Sequence, residues 1–290
     1  MVKEFASEYA RTDEGWIKFP ADSEYRKRMF PPEVSDHQAK ANVYLIQSII
    51  EYVSEPNQII LDPMSGTGTL MVGALIGRTV ICVEISAHFH LIQQQAVRIM
   101  EKVAPGIGDH IMLINLPCQH YLPIPDLADH IIFSPPYASI MKKGKKLDKM
   151  SADVLGDRAW EYSESPLNLG VMNDFIWAQE MEGIYRKCYE TLKPGGTMSI
   201  IVKDHMKDRK RVELSKAARD ACLRAGFIEL DWFKWSAPGS AFTGIYRARG
   251  WEVVDDEDII ILQKGGLQWE TKTDSMQMEK VGLRPLLASV

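Results

Sequence analysis

Two short stretches of the sequence carry residue types that could bind a nucleotide and act on it. The first follows an apolar run at 59–61 and reads Asp62-Pro63-Met64-Ser65-Gly66-Thr67-Gly68-Thr69. Glycines in such a turn let the backbone approach a ligand closely. A second apolar run, 79–83, ends at Glu84, about twenty residues after Asp62, where an acid can accept hydrogen bonds from ribose hydroxyls. The pattern predicts a nucleotide lying across two adjacent strand ends.

The second stretch is Ser134-Pro135-Pro136-Tyr137, at the end of the apolar run 130–133. The Ser134 hydroxyl and the Pro135 carbonyl can accept hydrogen bonds, and proline adds no competing N–H donor. Tyr137 can stack on a nucleobase. The stretch therefore predicts a site where a base is held by its polar edge and by its face.

Together with Leu192-Lys193-Pro194-Gly195-Gly196, these motifs resemble the amino-methyltransferases of the DNA N4-cytosine and N6-adenine type, which use S-adenosylmethionine. The resemblance covers most of residues 30–264, and the loop precedes the tetrapeptide. It implies a cofactor loop at 62–69, catalytic Ser134, Pro135, Pro136 and Tyr137, and contacts to the cofactor's methionine end in the segment 37–50. The predicted cofactor-binding residues are Asp62, Pro63, Met64, Ser65, Gly66, Thr67, Gly68, Thr69, Glu84, Ile85, Asn115 and His37.

The chemistry of the tetrapeptide agrees with this resemblance. The exocyclic amine of cytosine or adenine is a poor nucleophile because its lone pair is delocalised into the ring. Acceptors at Ser134 and Pro135 that bind its hydrogens draw this pair toward a methyl group. The serine favours cytosine N4 as the target, with adenine N6 in DNA or an RNA base as the alternative. No metal or covalent intermediate is required.

Several other interpretations of the same residues remain open. The glycine turn could bind another nucleotide or simply close a strand–helix connection, and Glu84 could be an ordinary surface acid. The chain could then be a nucleotide-binding module without catalysis. Pro117-Cys118 resembles the nucleophile of enzymes that methylate cytosine C5, although free cysteines are more often packed in a core.

The elements around these motifs alternate between strand and helix patterns. Strands are predicted at 59–61, 79–83, 111–114, 130–133, 197–202, from 227 and at 259–262, and helices at 35–53, 70–77, 86–103, 175–192 and 212–225. This order predicts an α/β fold with a doubly wound, mostly parallel, seven-stranded, Rossmann-like sheet. Residues 1–34 are predicted as an arm, 35–265 as the catalytic domain with insertions at 138–174 and 234–252, and 266–290 as a polar tail.

Composition limits where the protein acts and which partners it takes. The 290 residues are 46% hydrophobic, and the net charge is −5 with a pI near 5.9. No apolar run is long enough to span a membrane, and the polar N-terminus is unlike a signal peptide, so we expect a soluble, cytoplasmic protein. Its four scattered cysteines indicate free thiols. Because the net charge is negative, any DNA-binding surface must be confined to part of the molecule. The candidate residues are Lys142, Lys143, Lys145, Lys146, Trp160, Arg247 and Arg249.

Overall fold

A mixed β-sheet forms the centre of the protein. The structure is a computed structural model that describes residues 3–36, 40–136, 165–207, 209–237 and 243–265. Its strands are β1 (Ile59–Asp62), β2 (Thr79–Val83), β3 (Ile111–Ile114), β4 (Ala128–Phe133), β5 (Leu192–Val202), β6 (His205–Lys207), β7 (Lys210–Val212), β8 (Phe227–Ser236) and β9 (Asp256–Lys264).

The main sheet has seven strands in the order β3-β2-β1-β4-β5-β9-β8, and β6 and β7 form a separate hairpin. The strands β3, β2, β1, β4 and β5 are parallel to their neighbours. Strand β9 runs antiparallel between β5 and β8. The predicted doubly wound, mostly parallel sheet is confirmed, and the carboxyl ends of its parallel strands share one edge.

Helices cover both faces of this sheet. They are α1 (Ser23–Met29), α2 (Val43–Val53), α3 (Val72–Leu75), α4 (Ala87–Val103), α5 (Cys118–Tyr121), α6 (Asp174–Thr191), α7 (Leu214–Arg224) and α8 (Thr243–Ala248). Ser86, at the predicted start of α4, caps this helix, and its side chain accepts a hydrogen bond from the Phe89 backbone N–H at 3.4 Å. The amide side chains of Asn42 and Asn173 cap α2 and α6 in the same way.

Two hydrophobic layers pack against the sheet because successive strand residues point to opposite faces. Ile60 lies in a cluster with α2, α3 and α4, whereas its neighbour Leu61 lies in a cluster with α6 and α7. The predicted N-terminal arm packs into the first cluster, where Ile17 is 1% exposed. The Ile17 backbone also pairs with Trp235 on the edge strand β8.

Three predicted boundaries were wrong. Helix α2 begins at Val43, with its cap at Asn42, and not at 35–36. The stretch 193–196 is a bulge inside β5 and not a turn before it, because Ala128 pairs with Leu192 and His130 with Thr197. The stretch 234–252, predicted as an insertion without a strand or helix, contains the end of β8 and the helix α8.

The described residues include no helix with the length and apolar character that crossing a membrane needs. All four cysteines are free and buried. Within the same described ranges, no group of three or more His, Cys, Asp or Glu side chains is arranged to hold a metal ion.

Candidate active site

A cavity of about 530 Å³ opens along the carboxyl edge of the parallel strands. It runs from the end of β2 across β1 and β4 to β5, β9 and β8. Open α/β sheets bind ligands at this edge. The structure brings together many of the predicted site residues in its wall: Asp62, Pro63, Met64, Ser65, Gly66, Thr67, Thr69, Glu84, Ile85, Ser134, Pro135 and Pro136.

The glycine loop is held in place by bonds to β2 and α4. The backbone N–H and hydroxyl of Ser65 both donate to the Val83 carbonyl at 3.0 Å. The buried Gln93 amide donates to the Ser65 hydroxyl at 2.8 Å and to the Gly66 carbonyl at 2.6 Å. Gly68 has φ +82°, and a Cβ there would lie 2.6 Å from Met71 Cε, so the turn requires glycine.

Two carboxyl groups lie at the ends of β1 and β2, beneath this loop. Glu84 accepts hydrogen bonds from the backbone N–H groups of Gly66 and Ser86, each at 2.7 Å. Asp62 accepts one from the Met64 N–H at 2.9 Å. Burial, together with the nearby Glu84 charge, raises the pKa of Asp62 to about 8, and burial raises the pKa of Glu84 to about 7.

These groups suit S-adenosylmethionine. A carboxylate has about four acceptor positions, so Glu84 keeps acceptor capacity for ribose hydroxyls beside its two backbone bonds. Asp62 adds a second acid that can face ammonium or hydroxyl groups. The apolar side chains of Leu70, Ile85 and Phe89 line the same part of the cavity and can contact a purine ring.

The N-terminal segment supplies a wall that the sequence did not reveal. Arg26 on α1 is buried, and its guanidinium donates to Asp22 at 2.8 Å, to the Thr69 hydroxyl at 3.3 Å and to the Ala41 carbonyl. Asp22 also accepts a bond from the Val43 N–H at 2.9 Å. One buried side chain therefore joins α1, the start of α2 and the glycine loop.

The predicted catalytic tetrapeptide begins at the end of β4, on the side of the loop away from β2. Ser134 is half-buried and Pro135 is buried, and both line the cavity. The Trp177 indole N–H on α6 donates to the Pro136 carbonyl at 2.7 Å. This bond fixes the backbone of the tetrapeptide. Tyr137 lies outside the described residues.

Cys118 also lines the cavity, next to Gln119. Burial raises the pKa of its thiol to about 12, so the sulfur is protonated at neutral pH. A protonated, buried thiol is a weak nucleophile. The geometry favours a packing role for Cys118 over covalent attack on a base.

The remaining predicted residues lie elsewhere or outside the described part of the chain. Asn115 does not line the cavity; its amide donates to the Glu84 carbonyl at 2.8 Å and thus supports the end of β2. Gly68 shapes the turn behind the cavity wall. Arg247 forms an ion pair with Asp255, and the Arg249 guanidinium lies 5.7 Å from the centre of the Trp251 ring. The predictions outside the described residues are His37, Lys142, Lys143, Lys145, Lys146 and Trp160.

The cavity also contains residues that sequence reasoning missed. Asn42 gives a usable signal, because it is a good helix cap directly before an apolar helical pattern. Lys203 follows the apolar run of β5 and could have been assigned to the ligand edge by the same rule as Ser134. No local signal identifies the others. The missed lining residues include Asp22, Lys40, Asn42, Phe89, Gln119, Asn168, Lys203, Trp235 and Glu257.

Comparison with solved structures shows the fold. The cyclase SpnF superposes with a TM-score of 0.50 at 17% identity, covering 77% of this chain and 80% of that one. TrmN from Thermus thermophilus gives 0.46 at 14% identity, over 81% of this chain and 52% of that one, so the chain spans about half the length of TrmN. A methyltransferase from Pyrococcus furiosus gives 0.45 at 11% identity, covering 79% and 87%.

Comparison of sequences identifies a family, whereas the structural matches show the fold alone. No curated protein matches the chain. A family profile of the N6/N4 type, described as DNA methylase, matches residues 5–95 and 128–284. The match includes the glycine loop, Glu84 and the tetrapeptide, and it also extends over the N-terminal segment that holds Asp22 and Arg26.

Proposed function

Because the chain belongs to the N6/N4 family of DNA methylases, which are S-adenosylmethionine-dependent, we propose that its own target is the N4 amine of cytosine. The supporting observation is that the glycine loop and the first three residues of Ser134-Pro135-Pro136-Tyr137 line one cavity. Residues 62–67 and Glu84 hold the methyl donor in this proposal, and the end of β4 holds the amine.

The tetrapeptide activates the amine by accepting its hydrogens. Ser134 Oγ takes one hydrogen and the Pro135 carbonyl the other, which draws the nitrogen lone pair out of the ring. Trp177 keeps this backbone in position through its bond to Pro136. S-adenosylmethionine, when bound, supplies a methyl group on a good leaving group. Alignment of the amine with that methyl group then supplies much of the rate enhancement.

Serine at position 134 favours cytosine over adenine within this family, because the family resemblance associates an acid at this position with adenine more often. The hydroxyl can accept from an amine but carries no charge. The same cavity accepts either amine by chemistry alone, so the assignment to N4 has to be measured.

A cluster of aromatic and arginine side chains has a composition that is typical of nucleic-acid contact surfaces. We define the Trp251 platform as Arg209, Tyr246, Arg249 and Trp251. The rings of Tyr246 and Trp251 stack with centres 5.3 Å apart, and the Arg209 guanidinium lies 4.7 Å from the centre of the Trp251 ring. Aromatic rings with arginines bind bases and phosphates. In our proposal Arg249 contacts DNA directly, whereas Arg247 in α8 is held by its ion pair with Asp255.

The platform belongs to the same edge of the sheet as the cavity. The β6–β7 hairpin, which carries Arg209, follows the carboxyl end of β5, and α8 follows the end of β8. Arg211 joins the hairpin to the start of β9, with bonds of 2.8 Å to Asp204 and 2.7 Å to Asp256. A duplex that lies on the platform would therefore be close to the cavity mouth.

The experiment is to incubate the protein with S-adenosylmethionine and DNA, and separately with RNA, and to identify methylated nucleosides by mass spectrometry. N4-methylcytosine from DNA is the expected product. N6-methyladenine, or a product found only in RNA, would refute the cytosine assignment. Ser134→Ala should remove product while the cofactor Kd stays within about threefold of wild type. Gly66→Val should remove cofactor binding itself, because it blocks the close approach of the backbone.

A further inference from the structure

The cavity extends beyond the tetrapeptide, over the ends of β5, β9 and β8. Lys203, Trp235 and Glu257 line this target side, on the far side of β4 from the glycine loop. The β4–β5 and β5–β9 ladders place Glu257 two strands across from Ser134 and two residues further along, so roughly 12 Å separates the two backbones at the usual strand spacing and rise. Both residues line the same cavity, so an amine bonded to Ser134 and directed toward β9 would lie between them, within reach of the Glu257 side chain directly or through one water.

Glu257 has a fixed position in the cavity wall. It pairs with Trp235 across the β8–β9 ladder, and the buried Trp235 indole N–H donates to Glu257 Oε2 at 2.8 Å. Its neighbours Asp256 and Asp258 point to the opposite face, where both bind the Lys234 ammonium. Glu257 therefore stands apart from the ionic cluster that holds this end of the sheet together.

Methylation of an amine needs a proton acceptor at some stage. As the nitrogen lone pair forms the new bond to carbon, the carbon–sulfur bond breaks with its electrons moving to sulfur, and the nitrogen must then lose one hydrogen as a proton. Ser134 Oγ and the Pro135 carbonyl are acceptors of hydrogen bonds but are not bases near neutral pH. The proton must pass to another group.

The other carboxyl and thiol groups that line the described part of the cavity are poorly suited to accept this proton. Asp62 and Glu84 lie at the glycine loop, on the cofactor side of the tetrapeptide. Asp22 is paired with Arg26. The Cys118 thiol is protonated, and no histidine is among the described lining residues. Glu257 is the carboxyl group on the target side.

We propose that Glu257 is the base that receives the proton lost by the target amine. This proposal rests on the proposed function and assigns a further catalytic residue to the same site. The released proton moves from nitrogen to a Glu257 oxygen, directly or through one water, and leaves to solvent when product departs. Ser134 and Pro135 polarise the amine, and Glu257 completes the reaction.

The surroundings of Glu257 suit this role. Burial raises the pKa of its carboxyl group, while the Trp235 N–H and the Lys203 ammonium at the end of β5 lower the pKa, and Asp258 in β9 raises it again. A carboxylate with a raised pKa binds a proton more strongly than an exposed acid does, which suits a group that must accept one.

The test uses the full-length protein, saturating S-adenosylmethionine and DNA, and single-turnover rates measured across pH. For wild type the rate should fall as pH drops through the pKa of Glu257. Glu257→Gln should lower the plateau rate about 10- to 100-fold and remove this acidic limb, with the Kd for cofactor and DNA within about threefold of wild type. Trp235→Phe removes a bond to the charged carboxylate, so the acidic limb should move to higher pH.

Two further variants separate catalysis from structure. Glu257→Ala should be rescued in part by added formate, which a purely structural role would not allow. Glu190→Gln is the matched control, because Glu190 is an exposed acid at the end of α6, next to the start of β5 at the opposite edge. Its rate and pH profile should equal those of wild type.

The proposal is overturned if Glu257→Gln keeps the wild-type rate and acidic limb, or if Glu257→Ala loses cofactor binding and gains nothing from formate. If wild type transfers no methyl group to any DNA, the proposed function itself fails and this assignment fails with it. If wild type methylates DNA and the Glu257 variants do so equally well, only the assignment of the base fails.

Discussion

Glu84 Oε2 accepts a hydrogen bond of 2.7 Å from the Gly66 backbone N–H, which ties the end of β2 to the loop that follows β1. The acid is therefore part of the loop's own structure before any ligand binds. Its other oxygen, Oε1, accepts a hydrogen bond from the Ser86 backbone N–H at the start of α4. Preorganisation of this kind lowers the cost of binding, because the loop is already ordered.

The buried pair Asp62 and Glu84 should make stability depend on pH. Burial raises the pKa of Asp62 from 3.8 to about 8 and the pKa of Glu84 from 4.5 to about 7. Both groups hold protons in the folded protein at pH values where the unfolded chain has lost them. Their contribution to stability is complete below about pH 4 and is lost as pH rises toward about 8. In the Asp62→Asn variant the amide side chain cannot ionise, but its oxygen can still accept the hydrogen bond from the Met64 N–H.

Urea unfolding of wild type and Asp62→Asn at about pH 5 and about pH 8 checks this prediction. The variant should gain more than about 1 kcal/mol relative to wild type between these two conditions. An equal change in the free energy of unfolding between the two pH values for both proteins would contradict the prediction. Both measurements are made without cofactor, because a bound ligand adds its own contribution to the free energy of unfolding.

Arg26 on α1 should be far more important to stability than its neighbour Lys27. Arg26 is 5% exposed and bonds to Asp22, Thr69 and Ala41, so Arg26→Ala leaves Asp22 without its cation. The expected loss is about 3 kcal/mol. Cofactor affinity should fall as well, because Thr69 and the start of α2 lose their common anchor.

Lys27→Ala is the matched control on the same helix. Lys27 pairs with Glu24 at 2.6 Å, but both side chains are exposed, and such pairs contribute less than about 1 kcal/mol. Thermal or chemical unfolding of both variants, with a cofactor titration, separates the two residues. Similar losses for Arg26→Ala and Lys27→Ala would show that the contacts of Arg26 are not energetically important.

The glycine loop was predictable from sequence, whereas the contacts of Arg26 were not. Residues 59–69 and 79–84 form their strands, turn and acid locally, so apolar runs and glycines determine their positions within a residue or two. The Arg26 contacts depend on α1 packing across the start of α2, which no periodic pattern records. Residues 25–30 show no sequence feature beyond a cluster of basic and aromatic side chains.

Glu257 was missed for a related reason. Its place in the cavity depends on β9 inserting antiparallel between β5 and β8. Residues near the start of β9 then lie at the same edge as the ends of β4 and β5. Strand periodicity predicts that 259–262 is a strand, but it does not give the direction or the position of that strand in the sheet. The tetrapeptide could be assigned because its motif is contiguous.

Trp177 should affect the methyl-transfer rate, through the tetrapeptide, without affecting cofactor binding. Its indole N–H donates to the Pro136 carbonyl at 2.7 Å, and Trp177→Phe removes that donor while keeping an aromatic ring on α6. Losing one hydrogen bond of about 1–1.5 kcal/mol should lower the methyl-transfer rate about tenfold. The cofactor Kd should stay constant. Gln179→Ala, an exposed change on the same helix, is the control and should match wild type. A wild-type rate for Trp177→Phe would mean that Pro136 needs no support.

The Trp251 platform should bind DNA through its charges, which salt dependence can measure. Arg249→Ala removes one cation near the Trp251 ring, and Arg209→Ala removes another. If each arginine neutralises a phosphate, each change should weaken DNA binding similarly for all sequences and reduce the slope of log K against log salt by about 0.9.

Arg186→Ala tests whether any lost charge would do the same. Arg186 is an exposed arginine on α6, paired with Glu182 at 2.6 Å, and it lies toward the end of the helix that leads into the start of β5. That position is at the edge of the sheet opposite the cavity, so its loss should leave the slope unchanged. An equal reduction for Arg186→Ala and Arg249→Ala would mean that net charge alone governs binding and that the platform is not a specific contact surface. A reduction confined to Arg209 and Arg249 would identify the edge of the sheet where the duplex lies, and that edge also carries Ser134 and Glu257.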